Sequence, residues 1–343
     1  SGKINSAQND NRYTISQNIQ FPSVYKNQGD IIKSNISISE LNKVQKEIEL
    51  KAIVKKHFYQ LLLLQQKRQL LQEADSIYNA FAIKVRQRYV AGNADIIEKI
   101  TAETQLAQIS NQLQALATGY TVLLSQFNVL INCSKIYTPF GENIKLNISQ
   151  LPDILLLGET PALQLQQKNI VRAQQQLKLE KSKLYPSFNF GFNSGTIIGW
   201  QTIAQNIEKY YSAGQRFNAV NMGISVPLFS GAQRSRITAS HILLDQSRLE
   251  EQAVKQQLNA NLIDAITLYT QNNKILDQYQ SNTLPNANIL ITSATKKLNA
   301  GEIGYLEWVI IVNQAIQIRS EYFNYVQQLN EAAIEIEKIS TNN

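Results

Sequence analysis

The side chains best suited to chemistry in this sequence are few and scattered. His57 and His241 are its only histidines, and neither has an Asp, Ser or Cys at a recognisable spacing for a proton relay or an activated nucleophile. Surface or interhelical packing is their expected role. Cys133 is the single cysteine, so it has no partner for an internal disulfide, and no Cys/His cluster with metal-ligand spacing accompanies it. Met222 is the single methionine, which leaves no thioether ladder for copper, and no Gly-rich phosphate loop is present. The chain therefore reads as a non-enzyme, with no catalytic residue, cofactor or resident metal. What remains are carboxylates beside two turns: Asp95 and Glu98 after Gly92, and Glu302 and Glu307 after Gly301. Acids in the first turn of a helix ordinarily complement its positive end and stay solvated.

The elements that position these acids must be mostly helical. Of 343 residues, only 14 are Gly and 7 Pro, while Gln, Asn, Leu, Ile and Ala dominate. The net charge of +7 is dispersed along helical segments among glutamines and glutamates, with no basic stripe interleaved with aromatics, so nucleic acid is not an expected partner. No stretch approaches the roughly 20 apolar residues of a membrane-spanning helix. A membrane protein of this composition would have to use strands.

Three segments have the period of two that strands require. Tyr13, Ile15, Ile19 and Phe21 alternate with Thr14, Ser16, Asn18 and Gln20, with Gln17 as the one polar intrusion. Phe188, Phe190 and Phe192 alternate with small or polar residues, as do Val220, Met222, Ile224 and Val226. Any one of these alone suits the half-exposed strand of a soluble sheet. Three of them, with strongly aromatic or aliphatic faces among polar helices, point to a barrel wall with lipid outside and water inside.

The helices carry coiled-coil spacing. Leu61, Leu64, Leu71, Ala74, Tyr78, Phe81 and Val85 are answered by Ile109, Leu113, Leu116, Tyr120, Leu123, Phe127 and Leu130 across the turn at Gly92. A first helix from about Ser39 to Tyr89 would span about 75 Å at 1.5 Å per residue. Val254, Leu258, Asn261, Ala265 and Leu268 continue the pattern in the second half, where Pro285 is expected to break or kink the helix and Gly301 makes the turn. Pro22 and Pro227 are about as far apart as Gly92 and Gly301, so strand, helix, turn and helix recur together.

This duplication divides the chain into a strand portion of repeat one at 1–30, a helical hairpin at 31–132 and an inter-repeat linker at 133–160 holding at most one short strand. Repeat two then has a helix leading to the barrel at 161–184, a β hairpin at 185–230 and a second helical hairpin at 231–343. The segment from about Ser194 to Arg216 is read as a polar loop between the two strands of that hairpin.

The combination resembles the TolC family of outer-membrane efflux proteins over essentially the whole chain. The resemblance is carried by Leu184-Tyr185-Pro186-Ser187-Phe188 opening a strand, Gly223-Ile224-Ser225-Val226-Pro227-Leu228-Phe229 closing one, and Leu284-Pro285-Asn286-Ala287 within a helix. Ala300-Gly301-Glu302-Ile303-Gly304-Tyr305-Leu306-Glu307 is similar to the cation-efflux branch of the Cus and Czc type. The resemblance implies a mainly α fold of two long antiparallel coiled-coil hairpins, with a small β portion that gives strands to a shared trimeric transmembrane barrel. It implies a homotrimeric duct in the outer membrane of a Gram-negative bacterium, most of the chain in the periplasm, working with a periplasmic adaptor and an inner-membrane RND-type pump. It also implies an N-terminally truncated member, lacking the first helix and first strand of repeat one.

On the same resemblance the turns of Gly92 and Gly301 lie at the periplasmic aperture. Glu98 and Glu307, six residues past each glycine, then occupy a ring that selects cations, with Asp95 and Glu302 nearer the tip. Tyr89, Tyr305, Leu306 and Trp308 are candidates to receive the adaptor, or to pack the coiled coil. The competing reading is a soluble coiled-coil adaptor or scaffold, which has no reason to expose Phe188, Phe190 and Phe192 together.

Overall fold

The computed structural model describes residues 10–133, 135–152, 160–204 and 207–340. It comprises two compact units, one of residues up to Leu41 with Gln164–Ala253, the other of Asn42–Leu163 with Val254 onward.

The first unit holds the strands. β1 (Arg12–Ile19), β2 (Ser187–Thr196) and β5 (Arg216–Ser225) form an antiparallel sheet in the order β1-β2-β5. The segment between β2 and β5 is not the plain loop that its polar residues suggest. β2 continues to Thr196, and β3 (Gly199–Ala204) pairs with β4 (Ile207–Tyr211) as a separate two-stranded sheet. Glu208, Lys209 and Gln201 masked its alternation, because their long side chains stand on a strand pair that is exposed throughout most of its length.

α1 (Pro22–Val90) starts seventeen residues before the expected Ser39 and has a contour length of about 100 Å. Pro22 presets the first helical φ and has no N–H to leave unpaired. The following Ser-rich stretch has weak helical propensity, and tertiary contacts hold it. Val24 is buried, and Ser34 Oγ donates to Gln175 Oε1 of α3 (Pro161–Ser182) at 2.6 Å. α3 is tied in turn to the start of α4 (Gly231–Gln278) by Glu180, which accepts from Gln233 Nε2 at 2.8 Å and from Lys183 Nζ at 2.7 Å. Burial pushes the Glu180 carboxyl up, but these two hydrogen bonds and the charges of Lys183 and Arg236 outweigh it and hold the group below its ordinary value.

The second unit is built on heptads, with α2 (Ile96–Leu130), α5 (Leu284–Ala300) and α6 (Tyr305–Ser340) beside the distal parts of α1 and α4. Its α4 stripe is Leu262, Ala265, Tyr269, Asn272 and Leu276, all buried, whereas Leu268 is exposed. The expected stripe drifted off this seam at Leu268, one position short of Tyr269. Pro285 does not break the helix. Tyr279–Thr283 takes π-helical form just before it, and the Leu284 N–H reaches the Tyr279 carbonyl, so the wider turn makes room for the proline ring. Tyr279 Oη donates to Glu321 Oε2 at 3.1 Å; burial first, then that carboxylate, push the phenol up to about 12.

The linker, expected to hold at most one short strand, contains none among its described residues. Its backbone is satisfied by side chains instead. Asn330, 2% exposed, accepts from the Leu146 N–H and donates to the Ile144 carbonyl, both at 2.7 Å, and Tyr269 Oη accepts from the Ile148 N–H at 2.9 Å. A buried carboxamide thus supplies the donor and acceptor that a neighbouring strand would have offered.

Candidate functional site

Two regions gather the residues singled out above: the helical turns of the second unit and one face of the sheet in the first.

At the first turn Gly92 has φ 75° and at the second Gly301 has φ 74°, a left-handed backbone that costs an L side chain roughly 1–2 kcal/mol. The hydrogen bonds are the same at both. Gly92 N–H donates to the Tyr89 carbonyl and Asn93 N–H to Arg88; Gly301 N–H donates to Leu298 and Glu302 N–H to Lys297. Each is a Schellman cap, which satisfies the last carbonyls of one helix and releases the chain into the next. Asp95 follows as N-cap residue of α2, without a side-chain cap hydrogen bond.

Asp95, Glu302 and Glu307 are exposed. Glu98 is not equivalent to Glu307, because it is half-buried and its Oε2 is sealed from solvent without a hydrogen-bond partner. The Tyr305 hydroxyl is likewise sealed and unpartnered. Burial pushes the Tyr305 phenol far up, and the nearby Glu98 charge adds to that.

Beneath the turns lies an aromatic block. Phe81 stacks on Tyr305 with centroids 4.1 Å apart and on Trp308 at 4.7 Å, while Tyr78 meets Trp308 edge-on at 5.9 Å. Tyr305 and Trp308 are each 2% exposed, so they belong to this core and present no surface to an adaptor. Tyr89 and Leu306 are the exposed members of that candidate set, Tyr89 lying under the Lys99 ammonium at 4.9 Å. Tyr78 Oη donates to Asn313 Oδ1 at 2.7 Å, and Asn313 Nδ2 donates to Gln105 Oε1 at 3.2 Å, which ties α1, α6 and α2 together. The sequence held no signal for this network, since it joins residues more than 200 positions apart.

The strand face is set by register. Ile19, Phe188 and Ile224 make one cross-strand row; Gln17, Phe190 and Met222 the next; Ile15, Phe192 and Val220 the third. Tyr13, Ser194 and Asn218 follow. The opposite face carries Thr14, Ser16, Asn18, Asn189, Gly191, Asn193, Ala219, Asn221 and Gly223. All three apolar alternations therefore coincide on one side, where Ile15 is 73% and Met222 76% exposed. Phe21 and Val226 lie just outside the strands; Phe21 packs on Tyr185 at 4.8 Å, and Val226 is exposed.

The remaining reactive side chains stand apart. His57 is held below its ordinary pKa by burial and by Lys56, with a sealed Nδ1. His241 does have an acid at helical spacing, Asp245, whose Oδ2 is 3.2 Å from Nδ1 on the exposed side of α4. Cys133 is a free, exposed thiol. Among the described residues, no three His, Cys, Asp or Glu side chains converge as metal ligands, and no helix is long and apolar enough to cross a membrane.

A coiled-coil fold with one oily sheet face defines a duct-type membrane protein, and comparison with known proteins agrees. The sequence profile described as outer membrane efflux protein matches residues 155–341, so the chain belongs to that family. It is similar in structure to CusC, described for its folding and transmembrane channel formation, with a TM-score of 0.81 at 14% identity over 100% of this chain and 81% of that one. It is similar to the Campylobacter jejuni CmeC outer membrane channel, with a TM-score of 0.77 at 11% identity over 96% of this chain and 77% of that one. It is similar to the Vibrio cholerae outer membrane protein VceC, with a TM-score of 0.75 at 12% identity over 96% and 86%. Among curated proteins no sequence match is found. The protein is thus an outer-membrane efflux duct subunit of a Gram-negative bacterium with a large periplasmic helical portion, and the soluble adaptor or scaffold reading is set aside.

Proposed function

We propose that the protein assembles as a homotrimer whose β1-β2-β5 sheets contribute to one barrel, with the Ile15, Phe190 and Met222 side toward lipid and the asparagine-lined side toward the solute path. The observation that carries this reading is the register, which puts three separate apolar alternations on a single exposed face. A one-residue slip of any strand would put its apolar set on the polar side. On this reading residues 133–160 link two structural repeats, each with the turn between its helices at the periplasmic aperture.

At that aperture the Gly92 and Gly301 turns present Asp95, Glu302 and Glu307, which threefold symmetry would gather into acidic rings. Their exposure supports cation selection, and the resemblance of Ala300–Glu307 to the cation-efflux branch supports metal cations as cargo. Tyr89 and Leu306 support a docking role toward a periplasmic adaptor, which would join the duct to an inner-membrane pump.

Single-channel conductance of the full-length duct in a planar bilayer tests the ring. Glu307→Gln is expected to lower cation over anion selectivity, with a smaller change for Glu98→Gln because Glu98 is half-sealed. Currents whose selectivity ignores both substitutions would discard the acidic ring and keep the duct.

A further inference from the structure

The polar side of the three-stranded sheet changes character at one end. Its cross-strand rows hold only Ser, Thr, Asn, Ala and Gly, all neutral, until the last. That last row sets Arg12 of β1 opposite Gly195 of β2, and Gly195 opposite Phe217 of β5. It brings the first fixed charge and the first large apolar ring to this side, at the end away from α1, α3 and α4.

Gly195 gives the arginine its room. Arg12 Nε stands 3.9 Å from where a Cβ on Gly195 would be, so the side chain passes over the bare glycine on the same side of the sheet as Phe217. The Phe217 ring packs on Tyr211 at 5.3 Å, and the Lys209 ammonium lies 5.2 Å over the Tyr211 ring, which adds a second cation behind the two aromatics.

A second arginine at the same level supplies the contrast. Arg216 belongs to the oily side, lies 4.7 Å over the Tyr13 ring, and donates to Ser194 Oγ and to the Ser194 carbonyl, each at 2.9 Å. Its charge is held by the fold. Arg12 is exposed and has no ion pair or side-chain hydrogen bond among the described residues. The acids near it are placed otherwise: Asp10 Oδ1 accepts from the Ile198 N–H at 2.7 Å, and Glu208 stands opposite Thr202 on the β3–β4 pair. The Arg12 charge is thus left for whatever passes along the polar side.

We propose that Arg12 is a charge-selecting residue at the outer end of the solute path, opposite in sign to the acids of the two helical turns. Three copies of a guanidinium, which keeps its proton at any ordinary pH, ring the exit, and Lys209 adds to the same sign. The ring favours small anions and raises the barrier to cations entering from the exterior. This rests on the reading that the asparagine-lined side faces the solute path.

Reversal potentials of the full-length duct in a planar bilayer, under a potassium chloride gradient, test it. Arg12→Gln is expected to raise the potassium-to-chloride permeability ratio by a factor of about two or more, and Arg12→Lys to keep the parent ratio. The Arg12→Gln effect should shrink in about 1 M salt, where the screening length is about 3 Å. The solute path is checked separately: in a Cys133→Ser background, Asn221→Cys on the polar side is treated with an anionic, water-soluble thiosulfonate during recording. A current step there, with a permeability ratio indifferent to Arg12→Gln, overturns the exit filter and keeps the solute path. A ratio that shifts equally in Arg12→Gln and Arg12→Lys overturns the filter as well, since lysine keeps the charge. No current step at Asn221→Cys, with an unchanged ratio, overturns the polar-side reading and the filter with it.

Discussion

The two helical turns have one backbone and two chemistries. At Gly92 and at Gly301 the same pair of N–H groups closes on the same pair of carbonyls, with φ values one degree apart. Six residues on, Glu307 stands in solvent while Glu98 has a carboxylate oxygen sealed in the same unit as the buried Tyr305 hydroxyl. Cap geometry depends on a glycine and local hydrogen bonds, so the two turns share it. Carboxylate environment depends on what the other hairpin brings near, so it is not shared.

That contrast is sharpest where the second turn rests on aromatic packing. Trp308→Ala empties a site 2% exposed and is expected to cost about 3–5 kcal/mol, read from thermal unfolding in detergent by circular dichroism. Tyr89→Ala, at the exposed end of α1, is expected to stay within about 0.5 kcal/mol. Equal losses would mean that the aromatic block does not support the turn.

A smaller effect tests the shared backbone. Gly92→Ala and Gly301→Ala should each cost about 1–2 kcal/mol, because both glycines occupy the left-handed region with open space around a new Cβ. The two costs should agree. A loss at one turn alone would break the equivalence that the hydrogen bonds imply.

The smallest effect separates the two acids. Tyr305 is raised by burial and by the Glu98 charge, so the neutral phenol contributes stability that is complete below the ordinary tyrosine pKa, about 10, and declines as pH rises above it. Glu98→Gln removes the charge and should move the Tyr305 titration downward in alkaline ultraviolet difference spectra. Glu307→Gln should leave it in place. A Tyr305 titration indifferent to Glu98→Gln would remove the electrostatic link between the hairpins.

Much of this architecture was legible in local pattern. Period-two alternation at Tyr13–Ile19, Phe188–Phe192 and Val220–Ile224 marked strands with one apolar face, because successive side chains must point to opposite sides. The Ala-Gly pairs at 91–92 and 300–301 marked both turns, because few other residues accept a positive φ. These features depend on residues within a few positions of one another.

Tertiary contact decided the rest. α1 begins at Pro22 because Val24 and Ser34 find partners on other elements, against the propensity of its first turns. The linker backbone at Ile144, Leu146 and Ile148 is held by Asn330 and Tyr269, residues 121 to 186 positions away. Glu98 and Glu307, matched in the sequence, separate because one comes near a buried tyrosine from the other hairpin. The chain by itself determined the three strands of the larger sheet and both glycine turns, since each follows from local stereochemistry and the side-chain period. Only the folded structure decided which apolar alternations share a face and which acid stays in water, because register and burial are set by segments far apart in the chain.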